Sequence, residues 1–279
     1  MTRIPLAVAT ALVALAVAPP ALAQVVIEES GGAGSAFSKT EWPTQSLPRQ
    51  PLTLAPGLIE LGIPARLDVS KTNPGVPDWS IPAYLRFGVA DSFEVGVFHD
   101  VGLCLAGKSG GCAEVYDDVG GNVRVGLARF GTASQLALDL RVLASGFSSD
   151  STAWVGSAGL LYKLTLGNLA FLADVDWASR FNKRDQFTFA DQIAAHLGAQ
   201  LELVPGLAAY GRIGWEIPVN KTTLENVQTA TVQGPVTVGA EIVPVKPIGL
   251  GAELTFRNLV GDGASADSRE IVAYARIFL

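Results

Sequence analysis

The chain has 279 residues, 49% of them apolar and 16% charged, and carries a formal net charge of −6 at pH 7. That acidic balance has the wrong sign for a nucleic-acid binder, which needs a basic face, so no nucleic-acid partner is expected. Mean hydropathy is positive, yet beyond the N-terminus no stretch approaches the ~20 consecutive apolar residues of a spanning helix.

Residues 1–23 read as a targeting segment. Arg3 supplies a positive start, Ile4 to Ala18 an apolar run, and Ala21-Leu22-Ala23 a small-residue cleavage site before Gln24. Pro19-Pro20 ends the run short of a spanning length. The mature chain is therefore expected to be exported, and no cysteine follows the cleavage site to carry a lipid anchor. Residues 24–51 are rich in Gly, Ser, Pro and Thr without periodicity, with Trp42 as their only large anchor. They are expected to form a flexible leader; the alternative is that they fold into the pore as a plug.

From Leu52 onward apolar and polar residues alternate, the period of a strand with two different faces. The first strand is expected over 58–70, with Ile59, Leu61, Ile63, Ala65 and Leu67 on the oily side and Glu60, Arg66 and Asp68 on the other. Further strands are expected over 81–89, 93–103, 122–130, 135–143, 154–164, 169–177, 193–203, 207–217, 236–243, 249–256 and 270–279. Residues 190–203 read nearly as well as a helix, since Ile193, Leu197 and Leu201 sit four apart. The alternation of Gln200 and Glu202 with Leu201 and Leu203 favours a strand there. The connections alternate between short turns, such as Ala90-Asp91, Gly167-Asn168 and Pro205-Gly206, and longer polar loops. Cys104 and Cys112 flank one such loop; in an exported chain a disulfide is favoured over free thiols or a metal pair.

An apolar composition without spanning helices has one resolution in a membrane, because only helices and closed barrels satisfy every backbone group in hydrocarbon. The expected fold is all-β: a closed, antiparallel, up-and-down transmembrane barrel of about twelve strands over residues 52–279. The last strand, 270–279, is expected to pair with 58–70 and close it. In that strand Ile271, Ala273, Ala275 and Ile277 should face lipid, leaving Arg276 in the lumen.

Charges on the non-oily faces must then line an interior, since an Arg or Lys facing lipid at mid-height costs ~2–4 kcal/mol. Measured from the turns, Arg124, Asp139, Arg141, Asp174, Asp176, His196, Arg212 and Glu253 should lie nearest mid-height. Two readings stay open: a constriction that selects solutes by size and charge, or mixed signs that pair across strands and fill a narrow barrel. Arg124 opposite Asp139 is expected as a structural pair, and Asp174 with Asp176, like charges on one face, as the better selectivity candidate. His99 shares a face with Val95 and Val97 and should sit at the lipid boundary. Trp79, Trp154, Trp177 and Trp215 suit an aromatic girdle. No nucleophile with a base in reach is evident, so no catalytic residue, cofactor or metal site is expected. The carboxylates of Gly261 to Asp267 lack calcium-site spacing.

The targeting segment, the twelve alternating strands and the amphipathic final strand together resemble the outer-membrane β-barrel class of Gram-negative bacteria. More narrowly, L-A-P-G-L-I-E-L-G at 54–62 resembles barrels of the aromatic-degradation transporter type. Barrels of this class usually end in an aromatic residue, whereas this chain ends in Leu279 with Phe278 before it. The resemblance implies an outer-membrane location with both termini in the periplasm, and contact with outer-membrane lipid. It also implies recognition by the barrel-assembly machinery through the C-terminal strand, and passive passage of small polar or charged solutes. A structural or adhesive barrel with a plugged lumen and an outer-membrane hydrolase are the alternatives.

Overall fold

The computed structural model describes residues 46–70, 79–99, 103–104, 118–131, 133–145, 152–182, 189–221 and 231–279. The targeting segment, Trp42 and Cys112, and with Cys112 the expected disulfide, lie outside them.

From Ile59 onward the alternating stretches form strands. The strands are β1 (Ile59–Asp68), β2 (Trp79–Ile81), β3 (Tyr84–Ala90), β4 (Phe93–Phe98), β5 (Leu103–Cys104), β6 (Asp118–Phe130) and β7 (Ser134–Ser145). They continue as β8 (Ala153–Leu166), β9 (Leu169–Arg180), β10 (Phe189–Val204), β11 (Leu207–Lys221), β12 (Val236–Val245), β13 (Ile248–Asn258) and β14 (Ser265–Phe278). Each long strand pairs antiparallel with the next, and β14 pairs with β1, so the sheet closes on itself. The short β2 and β5 extend β3 and β4 beyond a break and pair with each other through Ser80 with Cys104. Counted this way the wall has twelve strands, as the alternation predicts. Residues 190–203 are strand, within β10. The seam is where the sequence places it, with Glu60 opposite Phe278 and Asp68 opposite Glu270.

Several strands run further than the periodicity predicts, and at the loop end. β6 starts at Asp118, β11 reaches Lys221 and β14 starts at Ser265. Backbone pairing continues there through stretches such as Gly120-Gly121 in β6 and Asp267 to Arg269 in β14, which show no alternation of apolar and polar residues. At the opposite end the turns are tight, and Gly167 (φ 62°) and Gly206 (φ 82°) adopt the left-handed backbone such turns require.

The outward faces carry exposed large apolar side chains around the circumference, among them Ile63, Leu85, Val97, Leu127, Leu140, Leu160, Phe171, Leu197, Val238 and Ile271. Trp154 and Trp177 are exposed near the loop ends of β8 and β9, where a girdle belongs. Inside, large rings pack onto glycines of the neighbouring strand. A Cβ on Gly62 would lie 2.1 Å from the Tyr84 ring, one on Gly251 2.2 Å from that of Tyr274, and one on Gly120 2.3 Å from that of Phe98. This inverts the soluble-protein pattern and is what hydrocarbon outside a closed barrel demands.

The flexible-leader reading of residues 24–51 meets the described structure only at 46–51, and there it needs correction. Those six residues, with Leu52 to Leu58, run inside the barrel at the turn end. Pro48, Leu54, Ala55 and Leu58 are fully buried, and Phe278 packs with the last three. Strand pairing begins only at Ile59. The physical reason is that a segment without alternation can still be held by its backbone carbonyls, which no periodicity reports.

Candidate functional site

The pleat turns even-numbered residues of β9, β10, β11 and β14 inward, together with Arg66 of β1, Arg124 of β6 and the odd-numbered residues of β7, β12 and β13, among them Asp139, Arg141, Thr237 and Glu253. They surround a cavity of about 820 Å³ that also touches Ser157, Gln200, Tyr210, Glu216, Thr237, Arg257 and Glu270. All eight residues placed at mid-height by sequence line it: Arg124, Asp139, Arg141, Asp174, Asp176, His196, Arg212 and Glu253.

Register decides which of them touch. Arg124 lies directly across the ladder from Asp139, and its Nη2 donates to Asp139 Oδ2 over 3.0 Å. Arg141 Nη2 donates to the same oxygen over 2.7 Å. Asp174 pairs across β9 and β10 with His196, whose Nδ1 lies 2.6 Å from its Oδ2. The imidazole lies over Gly214, where a Cβ would come within 2.3 Å of its Cδ2. Glu253 accepts a hydrogen bond from the Tyr210 hydroxyl over 3.1 Å. Asp176 and Arg212 make no hydrogen bond or ion pair among the described residues, although both line the cavity. Toward the loop end, Arg257 bridges Asp68 and Glu270, at 3.0 and 2.9 Å. Some of these charges therefore pair across strands, while Asp176 and Arg212 line the cavity.

His99 does not sit at the lipid boundary. Its Nδ1 lies 2.8 Å from Asp118 Oδ1, and its side chain is 13% exposed. A buried carboxylate on the adjoining strand outweighs the apolar parity of Val95 and Val97. No serine hydroxyl is hydrogen-bonded to His196 among the described residues.

The turn end of the lumen holds what the sequence does not signal. Lys163 Nζ donates to the carbonyls of Leu47 and Gln50, over 2.8 and 2.7 Å. The Leu52 amide donates to Gln135 Oε1 over 2.9 Å, and Arg124 Nη1 donates to the Leu52 carbonyl over 3.0 Å. The Leu54 amide donates to Glu94 Oε2 over 2.8 Å, and Thr165 Oγ1 donates to the Pro48 carbonyl over 3.2 Å. Arg49 pairs with Glu202 at 2.9 Å. Gly88 lets the segment approach β3, since a Cβ there would lie 2.1 Å from the Ala55 carbonyl oxygen. These partners come from β3, β4, β6, β7, β8 and β10, so residues 46–58 cross the lumen.

Beneath and beside this segment lies a buried ionic network. Arg276 Nη1 donates to both oxygens of Glu241 at 3.0 Å, its Nε to Glu60 over 2.8 Å, and its Nη2 to Gln50 Oε1 over 2.8 Å. Arg86 bonds the other Glu60 oxygen and Glu94, and the Tyr84 hydroxyl donates to Glu60 over 2.7 Å. Glu60 and Glu94 are fully buried. Charges so placed are tolerated because each is paired and hydrogen-bonded.

No protein-family model matches the chain, and no curated protein sequence matches it. Among solved structures it is similar to the NanC porin, with a TM-score of 0.52 at 9% identity over 78% of this chain and 99% of that one. It is also similar to the KdgM porin, with a TM-score of 0.47 at 6% identity over 77% and 98% of the two chains. At such identities the likeness to NanC speaks for the fold alone. The closed twelve-stranded wall and its outward apolar belt make the chain a transmembrane β-barrel, similar in fold to the NanC porin.

Proposed function

We propose that the chain is a gated outer-membrane channel for small polar or charged solutes, filled from the loop side and closed at the turn end by residues 46–58. The observation that carries this reading is Arg124: it lines the cavity, pairs with Asp139, and donates to the Leu52 carbonyl. One residue thus joins a hydrated, charged vestibule to the segment that stops it. The segment is held mainly by wall side chains acting on its backbone, and the ladder between β1 and β14 closes without it. Among the described residues its backbone-to-backbone bonds to the sheet lie at its last two residues, Gly57 N–H to the Gly88 carbonyl and Gly88 N–H to the Leu58 carbonyl, so residues 46–56 can leave with the ladder intact. Charges of both signs on fixed strands would then act on passing solutes as charged rings do in pores.

In this reading residues 1–23 direct export, the loop bearing Cys104 and Cys112 is disulfide-bonded, and the closing strand is what the barrel-assembly machinery recognises. The function is passage, with no catalytic step. A second reading, a structural barrel with working loops, is favoured by the segment itself if it never leaves.

Single-channel recording on the refolded chain in a planar bilayer, against a variant lacking residues 46–57, tests the proposal. The full chain should give rare or brief openings. The shortened chain should give steady conductance that discriminates among cationic, anionic and neutral solutes. A silent shortened chain in a correctly folded barrel would establish the second reading.

A further inference from the structure

Two carboxylates and one imidazole meet on the cavity wall although nothing in their spacing along the chain marks them. Asp174 and Asp176, two apart on β9, share the lumenal face, and His196 is set opposite Asp174 on β10. One carboxylate oxygen from each aspartate and one imidazole nitrogen all lie within 4.8 Å of one another. Small side-chain rotations would bring such a trio to the ~2.0–2.2 Å that nitrogen and oxygen ligands keep around zinc.

We infer that Asp174, Asp176 and His196 form a lumenal site for a borderline divalent cation of the zinc type. Three observations beyond the trio's proximity bear on this. The Asp176 carboxylate has no hydrogen-bond or ion-pair partner among the described residues, although it sits beside a second carboxylate. Arg141 and Arg212 face the same cavity, yet Arg141 is committed to Asp139 and neither is paired with Asp174 or Asp176. The imidazole is held flat over Gly214, in space that any larger residue on β11 would fill. Two carboxylates and one imidazole thus converge on one point of the cavity wall with neither arginine bonded to the aspartates.

The donor set chooses the ion. An imidazole with two carboxylates suits zinc, nickel or copper, whereas magnesium and calcium take oxygen ligands alone. Three protein ligands leave a tetrahedral position open toward the cavity. An open position in a hydrated lumen also lets the ion arrive and depart. Rigid strands on both sides fix the ligands, so binding costs little ordering. The site stands apart from the conduction proposal, since an occupied cavity needs no open pore.

Zinc titration of the refolded full chain in detergent, in competition with a chromophoric chelator, tests it. The expected result is one zinc per chain, with excess magnesium failing to compete. Asp176→Asn should weaken zinc at least about tenfold while leaving the bond between His196 and Asp174 intact, and the variant's heat-shift on a gel should match that of the unmodified chain. His196→Ala should abolish saturable binding. Absence of saturable zinc binding, or binding undiminished in both variants, overturns the inference. A conductance failure alone does not touch it.

Discussion

Lys163 donates to the Gln50 carbonyl over 2.7 Å from deep inside the barrel, and with Leu47 as its second acceptor it has only backbone oxygens as partners among the described residues. An ammonium buried to 4% exposure without a paired carboxylate is tolerable only while the segment stays in place. Lys163→Met keeps the apolar stem and removes both bonds. Hydrogen bonds to charged groups contribute ~1.5–3 kcal/mol each. Even one bond's share, about 2–3 kcal/mol of closure, would raise the open fraction roughly 30- to 150-fold. Bilayer recordings should show longer and more frequent openings for this variant, and unchanged open probability would mean the segment is retained by its other contacts.

Arg276 is the hub of the turn-end network, joining Glu60, Glu241 and Gln50. Arg276→Ala leaves buried Glu241 without its arginine and Glu60 with Arg86 as its remaining one, and removing one partner of a buried pair costs ~3–5 kcal/mol. The temperature at which the folded barrel loses its compact gel mobility should fall accordingly. Adding Glu241→Gln to that variant should recover part of the loss, because the two residues are in direct contact and their effects do not add.

Why the wall was legible and its stopper was not follows from what each rests on. A residue in the wall faces lipid or lumen by parity, so Ile63 and Arg66, or Leu140 and Arg141, declare their sides one after another. The pair of Arg124 with Asp139 follows from the same parity once the hairpin at Gly131 is placed. Residues 46–58 are held through the carbonyls of Leu47, Pro48, Gln50 and Leu52, which every residue type possesses. Parity says only that Lys163 and Gln135 face the lumen, and long-range geometry alone shows what they grip. Asp174 and His196 were each legible as lumenal, but their contact depends on the register of β9 against β10.

Neutralising the acidic pair tests the selectivity half of the channel reading. Asp174→Asn with Asp176→Asn removes two of the negative charges on the cavity wall while Arg124, Arg141 and Arg212 remain. Reversal potentials under a salt gradient, measured on a background lacking residues 46–57, should shift toward anion preference. The shift should shrink as salt is raised, because the Debye length falls from ~10 Å at 0.1 M to ~3 Å at 1 M. Equal reversal potentials at low salt would remove this pair from the selectivity role.

Tyr84 and Gly62 face each other across β1 and β3, and the ring occupies the volume that a side chain on Gly62 would need. The same ring donates its hydroxyl to Glu60, so displacing it disturbs packing and the ionic network together. Gly62→Ala would place a methyl 2.1 Å from the ring carbons, a distance that forces the tyrosine to move. Overpacking of this kind costs ~1–3 kcal/mol, to which a loosened hydrogen bond at a buried carboxylate adds. Gly62→Ala should therefore destabilise the barrel more than Gly121→Ala, where the nearest atom to a new Cβ is 3.5 Å away. Urea-unfolding midpoints of the two variants in the same lipid compare them directly. In the combined variant Gly62→Ala with Tyr84→Ala the steric cost disappears but Glu60 loses a donor, so its midpoint should stay below that of the unmodified chain. Equal midpoints for the two glycine variants would show that the ring gives way freely and that its contact with Gly62 does not hold the seam.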